Sequence, residues 1–384
     1  MESNPSAVEK YKEVRDVAQK PFVLWQLYFP RVFKEKYGFD VVIGNPPYGA
    51  KIPSNDKKAY QHSYQCTRTI KGKQKGSNDT FALFIERGLR ILSDNGILTY
   101  IVPMSVTSSD SMTALHGIME NNCPVIKIAS FSNRPKQVFD SACVRTSIIQ
   151  LIKRNKPIKH LEMTKLVRRS SNDTIADIVK NLSFIDMLEF KKPGRYPKVG
   201  SKIERDIIKR MFGSGKKLSD YGDAESSTGI YYRAAGGRYF NVVTNYPTRS
   251  SQEVMYPIND KYTDVIGAIL STTLFWFYQQ AYTDGLHIKQ SELQAIPVPD
   301  LDSTDEEFIL EIKKAYNDYL DDIEKNVIIH QAKGYNVSSF KEYKLVKSKN
   351  KIDKLDNLIG MLYGLTDEEI SFIKTYELNV RTSE

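Results

Sequence analysis

The stretch Phe39-Asp40-Val41-Val42-Ile43-Gly44-Asn45-Pro46-Pro47-Tyr48-Gly49 decides how this chain is read. A short apolar run rich in β-branched residues ends in Gly-Asn-Pro-Pro, the pattern of a buried strand running into a rigid turn. In open α/β sheets, strand ends of this kind are where ligands bind. The turn suits one chemistry in particular, methyl transfer to an amino nitrogen conjugated with a ring. Such a nitrogen is a poor nucleophile because its lone pair is delocalised. Two neutral acceptors, the Asn45 side-chain oxygen and the Pro46 carbonyl, can hold both N–H groups and draw the nitrogen towards tetrahedral geometry. Proline at 46 and 47 fixes φ, so the acceptors stand in place before a substrate arrives. The Tyr48 ring offers a face to a planar base, worth ~1–3 kcal/mol per base. The alternative is a strand-turn with two prolines and no chemistry.

Composition frames this motif. At 384 residues the chain is long enough for two or more domains and a sizeable core. A net charge of +9 points to an anionic partner, nucleic acid being the commonest, although excess lysine also aids solubility. Cys66, Cys123 and Cys143 are odd in number and lack Cys-x-x-Cys spacing. They suggest neither a zinc site nor a disulfide framework, no metal is called for, and a reducing cytoplasm fits. No apolar run reaches transmembrane length, and Met1-Glu-Ser-Asn-Pro5 lacks the apolar core of a signal peptide.

On either side of the motif the pattern alternates strand and helix. A short helix is expected around Val8 to Ala18. Residues 49–77 read as a long polar loop with Lys51, Lys57, Lys58, Arg68, Lys71, Lys73 and Lys75, interleaved with Tyr60 and Tyr64. The loop is either a mobile basic element that closes over DNA phosphates or a solvated insertion. Ser77-Asn78-Asp79 offers a helix N-cap, followed by Phe81, Phe84, Ile85, Leu89 and Leu92 at helical spacing, with Asp94-Asn95-Gly96 as the stop. Ile97 to Val102 is the next strand, Ser111 to Asn121 a helix, and Val125 to Phe131 and Val144 to Ile152 two further strands. The result is a mostly parallel sheet with an antiparallel pair at its end. Asn45 to Tyr48 and Pro103-Met104-Ser105 then share its carboxyl edge.

From about residue 155 the pattern changes. Lys153 to Arg169 reads as a basic connector, followed by a helix over Lys202 to Phe212. Tyr231-Tyr232-Arg233 and Gly236-Gly237-Arg238-Tyr239-Phe240 mix aromatic, arginine and glycine residues. That mixture suits a surface reading bases and phosphates, and equally the loops of a small β-rich domain. Leu270 to Tyr278 is an apolar helix or buried strand. Residues 309, 312, 316, 320, 323 and 327 mark an amphipathic helix. A lysine-rich loop near Lys341 to Lys351, a helix over Leu355 to Tyr363 and a Thr366/Glu369 capping box complete the pattern.

The motif Phe39 to Gly49 resembles that of amino-methyltransferases acting on adenine in DNA. The preceding Trp25-Gln-Leu-Tyr-Phe29-Pro30-Arg-Val32-Phe33 is similar to large restriction-modification methylases with a fused specificity domain, including those of BREX phage-defence systems. Gly285-Leu-His-Ile-Lys289 through Ile296-Pro-Val-Pro299 resembles the specificity domains of TaqI-like methylases. Tyr363 to Glu369 resembles the end of the large methylases. The resemblance implies a partial Rossmann-like α/β methyltransferase sheet (1–155), an α+β target-recognition domain (156–300) and a helical C-terminal region (301–384). It implies S-adenosylmethionine as cofactor and a flipped adenine in double-stranded DNA as substrate. Asn45, Pro46, Pro47 and Tyr48 are then catalytic, Asn45 and Pro47 border the cofactor, and Lys71, Lys73, Lys75, Arg233, Arg238 and Lys289 contact DNA.

Two departures from the resembled pattern stand out. The glycine loop that holds the cofactor is absent among the 44 residues before Asn45, and Phe212-Gly213-Ser214-Gly215-Lys216 reads as a helix-ending loop instead. The chain is therefore expected to be the carboxy-terminal portion of a larger methylase, or a subunit completed by an amino-terminal partner, with the edge of Asp40 to Ile43 lacking a neighbour. Relatives also place a second base-stacking aromatic on the strand ending near Leu151, where this chain has leucine. No Pro-Asp…Glu-x-Lys nuclease arrangement is seen. A non-catalytic DNA-binding remnant and a protein-glutamine methyltransferase are the rival readings.

Overall fold

The computed structural model describes residues 23–49, 52–139, 142–170, 172–235, 242–331 and 339–382. The expected helix around Val8 to Ala18 and the Gly236 to Phe240 stretch with Arg238 lie outside them. The chain is a mixed α/β protein organised on a six-stranded sheet. Helices α1 (Trp25–Tyr28) and α2 (Pro30–Lys36) lead into β1 (Phe39–Gly44). Trp25, Phe29 and Phe33 pack around Phe39 with ring centroids 5.3–5.7 Å apart.

The segment read as a long polar loop contains a helix, α3 (Ser54–Ser63). It is tied to the sheet domain where Glu86 on α4 (Thr80–Ile91) accepts the amides of Gln65 and Cys66 at 3.0 and 2.8 Å. Burial works against the charge on Glu86, yet those amides, with Arg90, hold its carboxyl below the usual range. Helix α4 buries Phe81, Ile85 and Leu89, each worth ~1.5–3 kcal/mol. Phe84, expected on that face, is instead 46% exposed. Strand β2 (Leu92–Pro103) starts before Asp94-Asn95-Gly96, so these residues sit inside the strand.

Helix α5 (Thr113–Asn122), β3 (Val125–Phe131) and β4 (Thr146–Ile152) follow within two residues of their expected bounds. The stretch read as a basic connector forms β5 (His160–Val167), joined by the short β6 (Ile185–Asp186). The strand order is β1-β2-β4-β3-β5-β6. Pairs β1–β2 and β3–β5 are parallel, and β4 runs antiparallel between β2 and β3. The antiparallel strand expected at the end of the sheet is thus in its middle. Among the described residues β1 is paired on one side, and Val41 and Ile43 are 60% and 77% exposed.

A second layer begins at α6 (Lys202–Phe212), bounded as expected, with Gly213 as its C-cap. Strand β7 (Lys216–Lys217) pairs with β11 (Pro297–Val298). Strands β8 (Gly229–Arg233), β9 (Val243–Thr244) and β10 (Glu253–Pro257) make a three-stranded sheet in the order β10-β8-β9. Helices α7 (Asp260–Leu270), α8 (Thr273–Tyr282) and α9 (Gln290–Gln294) follow. The amphipathic helix is α10 (Glu306–Lys325). The lysine-rich stretch expected as a loop instead spans part of the hairpin β12 (Val327–Gln331) and β13 (Ser339–Tyr343) and the start of α11 (Lys349–Leu362). Thr366 and Glu369 form the expected capping box of α12 (Asp367–Thr375). No helix among the described residues is long and apolar enough to cross a membrane.

Residues 191–199 strap the two layers together. Tyr196 stacks on His116 of α5 at 3.8 Å, and its hydroxyl donates to Glu120 at 2.9 Å. Arg195 reaches Asp110 on one side and Glu292 of α9 on the other, both at 2.9 Å. Burial pushes the His116 imidazole down to about 4, against the opposing pull of its hydrogen bond to the Val106 carbonyl. The ring is therefore neutral in the fold. Its contribution is complete above the unfolded value of 6.5 and is lost as pH falls towards 4. We expect ~2–3 kcal/mol of stability to disappear across that window. Urea midpoints at pH 7 and 4.5 check this, with His116→Phe, which keeps a ring against Tyr196, expected to flatten the difference.

Candidate active site and nucleic-acid interface

Strand β1 runs parallel to β2 with Gly44 level with Tyr100, and β2 continues to Pro103. The turn Asn45–Tyr48 therefore lies alongside the last residues of β2, at the carboxyl edge. The Tyr48 hydroxyl donates to the Ile101 carbonyl at 2.9 Å, which fixes the ring, and burial pushes the phenol up to about 12. The Pro47 carbonyl accepts from the Thr80 hydroxyl at 2.6 Å, tying the turn to the start of α4. That carbonyl is engaged within the fold, whereas the Asn45 side chain is exposed. Gly49 then takes φ +58°, a left-handed conformation that a β-branched residue would resist.

The 68–77 stretch is tied to the fold near its end. Ile70 and Gln74 bridge a tight turn that leaves Lys71 and Lys73 exposed. The Ala114 amide donates to the Lys75 carbonyl at 3.1 Å, seating the exposed Lys75 beside the first turn of α5, just beyond β2. Arg233, at the end of β8, and Lys289, which caps α9, are exposed on the second layer. They are brought near each other because His287 bridges Ala235 and the Ile288 amide donates to the Ala234 carbonyl at 3.0 Å.

Sequence reasoning missed what joins the two groups. Arg145, at the start of β4, donates from its guanidinium to the Asp284 carbonyl and to Asn133 Oδ1, the latter at 3.2 Å. Its own carbonyl accepts from the Met104 amide at 2.9 Å. Arg168 likewise spans Ser132, Glu377 and Gln280. No local pattern marks these arginines, since their partners are distant in sequence.

The expectation about Leu151 is also corrected. Leu151 is fully buried and pairs with Leu98 in the middle of β2 and with Ile126 near the start of β3, whereas Thr146, at the other end of β4, is level with Pro103; Leu151 therefore sits at the end of β4 away from the turn. The carboxyl edge meets the beginning of β4, where the 132–145 connection carries the half-buried Phe139. A cavity of about 630 Å³, lined in part by Lys165, Glu204 and Tyr376, adjoins β5, three strands away from β2 in the sheet order. It does not join the turn.

A proline-locked asparagine turn thus stands at the carboxyl end of a parallel strand pair. Residues 4–139, which include the turn, match the sequence model of the Eco57I restriction-modification methylase family. The chain is 31% identical over 128 residues to the type II restriction enzyme and methyltransferase RM.Eco57I of Escherichia coli, a match covering 31% of this chain and 12% of that protein. It is 29% identical over 150 residues to the type II methyltransferase M.AccI of Acinetobacter calcoaceticus, covering 38% and 26%. The matched segment thus spans about a quarter or less of these relatives. The type IIL restriction-modification enzyme MmeI, solved in complex with DNA, is similar over 89% of this chain and 56% of its own, at 11% identity and TM-score 0.49.

Proposed function

We propose that this chain carries the amine-orienting half of an adenine-specific DNA methyltransferase of a restriction-modification or phage-defence system. Double-stranded DNA is its substrate and S-adenosylmethionine its methyl donor. The observation that carries the reading is the turn itself, within the matched segment: an exposed Asn45 amide and an anchored Tyr48 ring, rigidly placed at a strand end. Asn45 and the Pro46 carbonyl accept from the exocyclic amine of an extruded adenine, and Tyr48 stacks on the base. Phe139, on the connection entering β4 from the same edge, takes the role for which Leu151 is misplaced. Lys71, Lys73 and Lys75 contact phosphates beside the site, Arg233 and Lys289 extend the contact over the second layer, and Arg238, outside the described residues, is a further DNA contact.

The fit to the methyl donor is one-sided. Asn45 and Pro47 offer a wall, but Asp40 is paired with Lys36 at 2.7 Å and Asp79 accepts from Ser77 at 3.0 Å. Neither carboxylate is placed to grip a ribose or an amino-acid ammonium. In this reading a further polypeptide segment pairs with the open side of β1, covers Val41 and Ile43, and completes that pocket. When bound, S-adenosylmethionine supplies the electrophilic methyl group.

The test incubates the chain with labelled S-adenosylmethionine and duplex DNA, alone and with the polypeptide encoded immediately upstream, and resolves the nucleosides. Label on N6 of adenine is expected in the combined arm. Label on cytosine or on protein glutamine overturns the substrate. Absence of label in both arms favours the non-catalytic DNA-binding module.

A further inference from the structure

The loop Thr283–Lys289 is held from three sides. Lys198, fully buried, donates to the Thr283 carbonyl at 2.9 Å from below. Arg145 donates to the Asp284 carbonyl from the sheet, and the Ile288 amide bonds the segment to Ala234 after β8. Gly285 takes φ +66°, and a Cβ there would lie 2.8 Å from the Arg145 guanidinium, so the loop is seated as closely as backbone allows. Within it the Asp284 carboxylate accepts the amides of Leu286 and His287, both at 2.8 Å, and meets His287 Nδ1 at 2.7 Å.

This arrangement presents one side chain outward. The His287 side chain is 55% exposed, while its backbone is pinned at the join between the catalytic edge and the recognition sheet. The bond to the Asp284 carboxylate is donated by Nδ1, which leaves Nε2 of the neutral ring as a hydrogen-bond acceptor held in a fixed orientation. Surface Asp–His pairs are common and contribute little to stability. A backbone clamp of this extent is not needed to form one. Such a clamp fixes where the Nε2 acceptor stands.

We infer that His287, oriented by Asp284, is a sequence-reading residue that accepts a hydrogen bond from the exocyclic amine of a base flanking the modified adenine. The inference rests on the DNA-methyltransferase reading above. A duplex that delivers a base to Tyr48 while lying along Arg233 and Lys289 crosses the loop that links them. Acceptors from side chains discriminate cytosine N4 and adenine N6 amines from the carbonyl-bearing bases in the major groove.

The experiment selects bound sequences from a randomised duplex pool with the full chain, then measures anisotropy of the selected and a scrambled duplex at several salt concentrations. For His287→Ala, degeneracy at one motif position and about a tenfold loss of affinity for the selected duplex are expected. Affinity for the scrambled duplex and the salt slope should stay unchanged, because no phosphate contact is removed. His287→Gln, which keeps an acceptor, should recover part of the loss. A His287→Ala chain that selects the same motif at every position overturns the inference and leaves the methyltransferase reading standing. A fall in salt slope would make His287 a phosphate contact and also overturn it. If the unmodified chain selects no motif, the DNA reading fails with it.

Discussion

Replacing Asn45 with alanine is expected to lower methyl transfer by the assembled enzyme by roughly 10²–10³-fold, the cost of losing one oriented partner of a reacting group. The side chain is exposed, so its removal leaves neither a cavity nor a stranded polar group. The Tyr48–Ile101 and Thr80–Pro47 bonds that shape the turn do not depend on it. In the mechanism proposed above its contribution belongs to the amine as that nitrogen becomes tetrahedral, so kcat should fall with little change in KM for DNA. DNA affinity is expected to stay within about twofold, because most of it comes from phosphate contacts spread elsewhere. Asn45→Asp keeps an acceptor oxygen and should lose much less. Parallel measurements of methyl incorporation and DNA binding decide the matter, and undiminished methylation by Asn45→Ala removes the role assigned here.

The second large effect is expected at Arg195. Its side chain is 7% exposed and serves two carboxylates from different layers, Asp110 after β2 and Glu292 of α9. Arg195→Met keeps most of the volume but leaves Glu292, itself 10% exposed, without its cation. Breaking a buried pair from one side costs ~3–5 kcal/mol, most of it the stranded charge. Urea unfolding at pH 7 should show a loss near the lower figure, since Asp110 remains accessible to water. Adding Glu292→Gln should restore part of it by removing the stranded charge. A loss in Arg195→Met no larger than that of an exposed pair would show that the strap does not depend on this contact.

The sequence by itself determined the parts whose causes are local. The prolines at 46 and 47 mark the turn wherever the rest of the chain goes, and the run before them can only be a strand of apolar, β-branched residues. Periodicity placed α6 at Lys202–Phe212 and β3 at Val125–Phe131, and the Thr366/Glu369 pair marked α12, because caps and amphipathic faces are written within a few residues. Tertiary structure alone decided the rest. A strand's direction is set by its neighbours, so nothing within Thr146–Ile152 could show that β4 runs antiparallel between β2 and β3, or that Leu151 lies at its end away from the turn. Lys153 to Arg169 reads as a connector because its charges are numerous, yet β5 forms there once β3 supplies an edge. The clamp on His287 depends on Arg145, 139 residues from Asp284 in sequence. Contacts of that separation leave no trace in local patterning, because the free energy that makes them is released only when two finished layers meet.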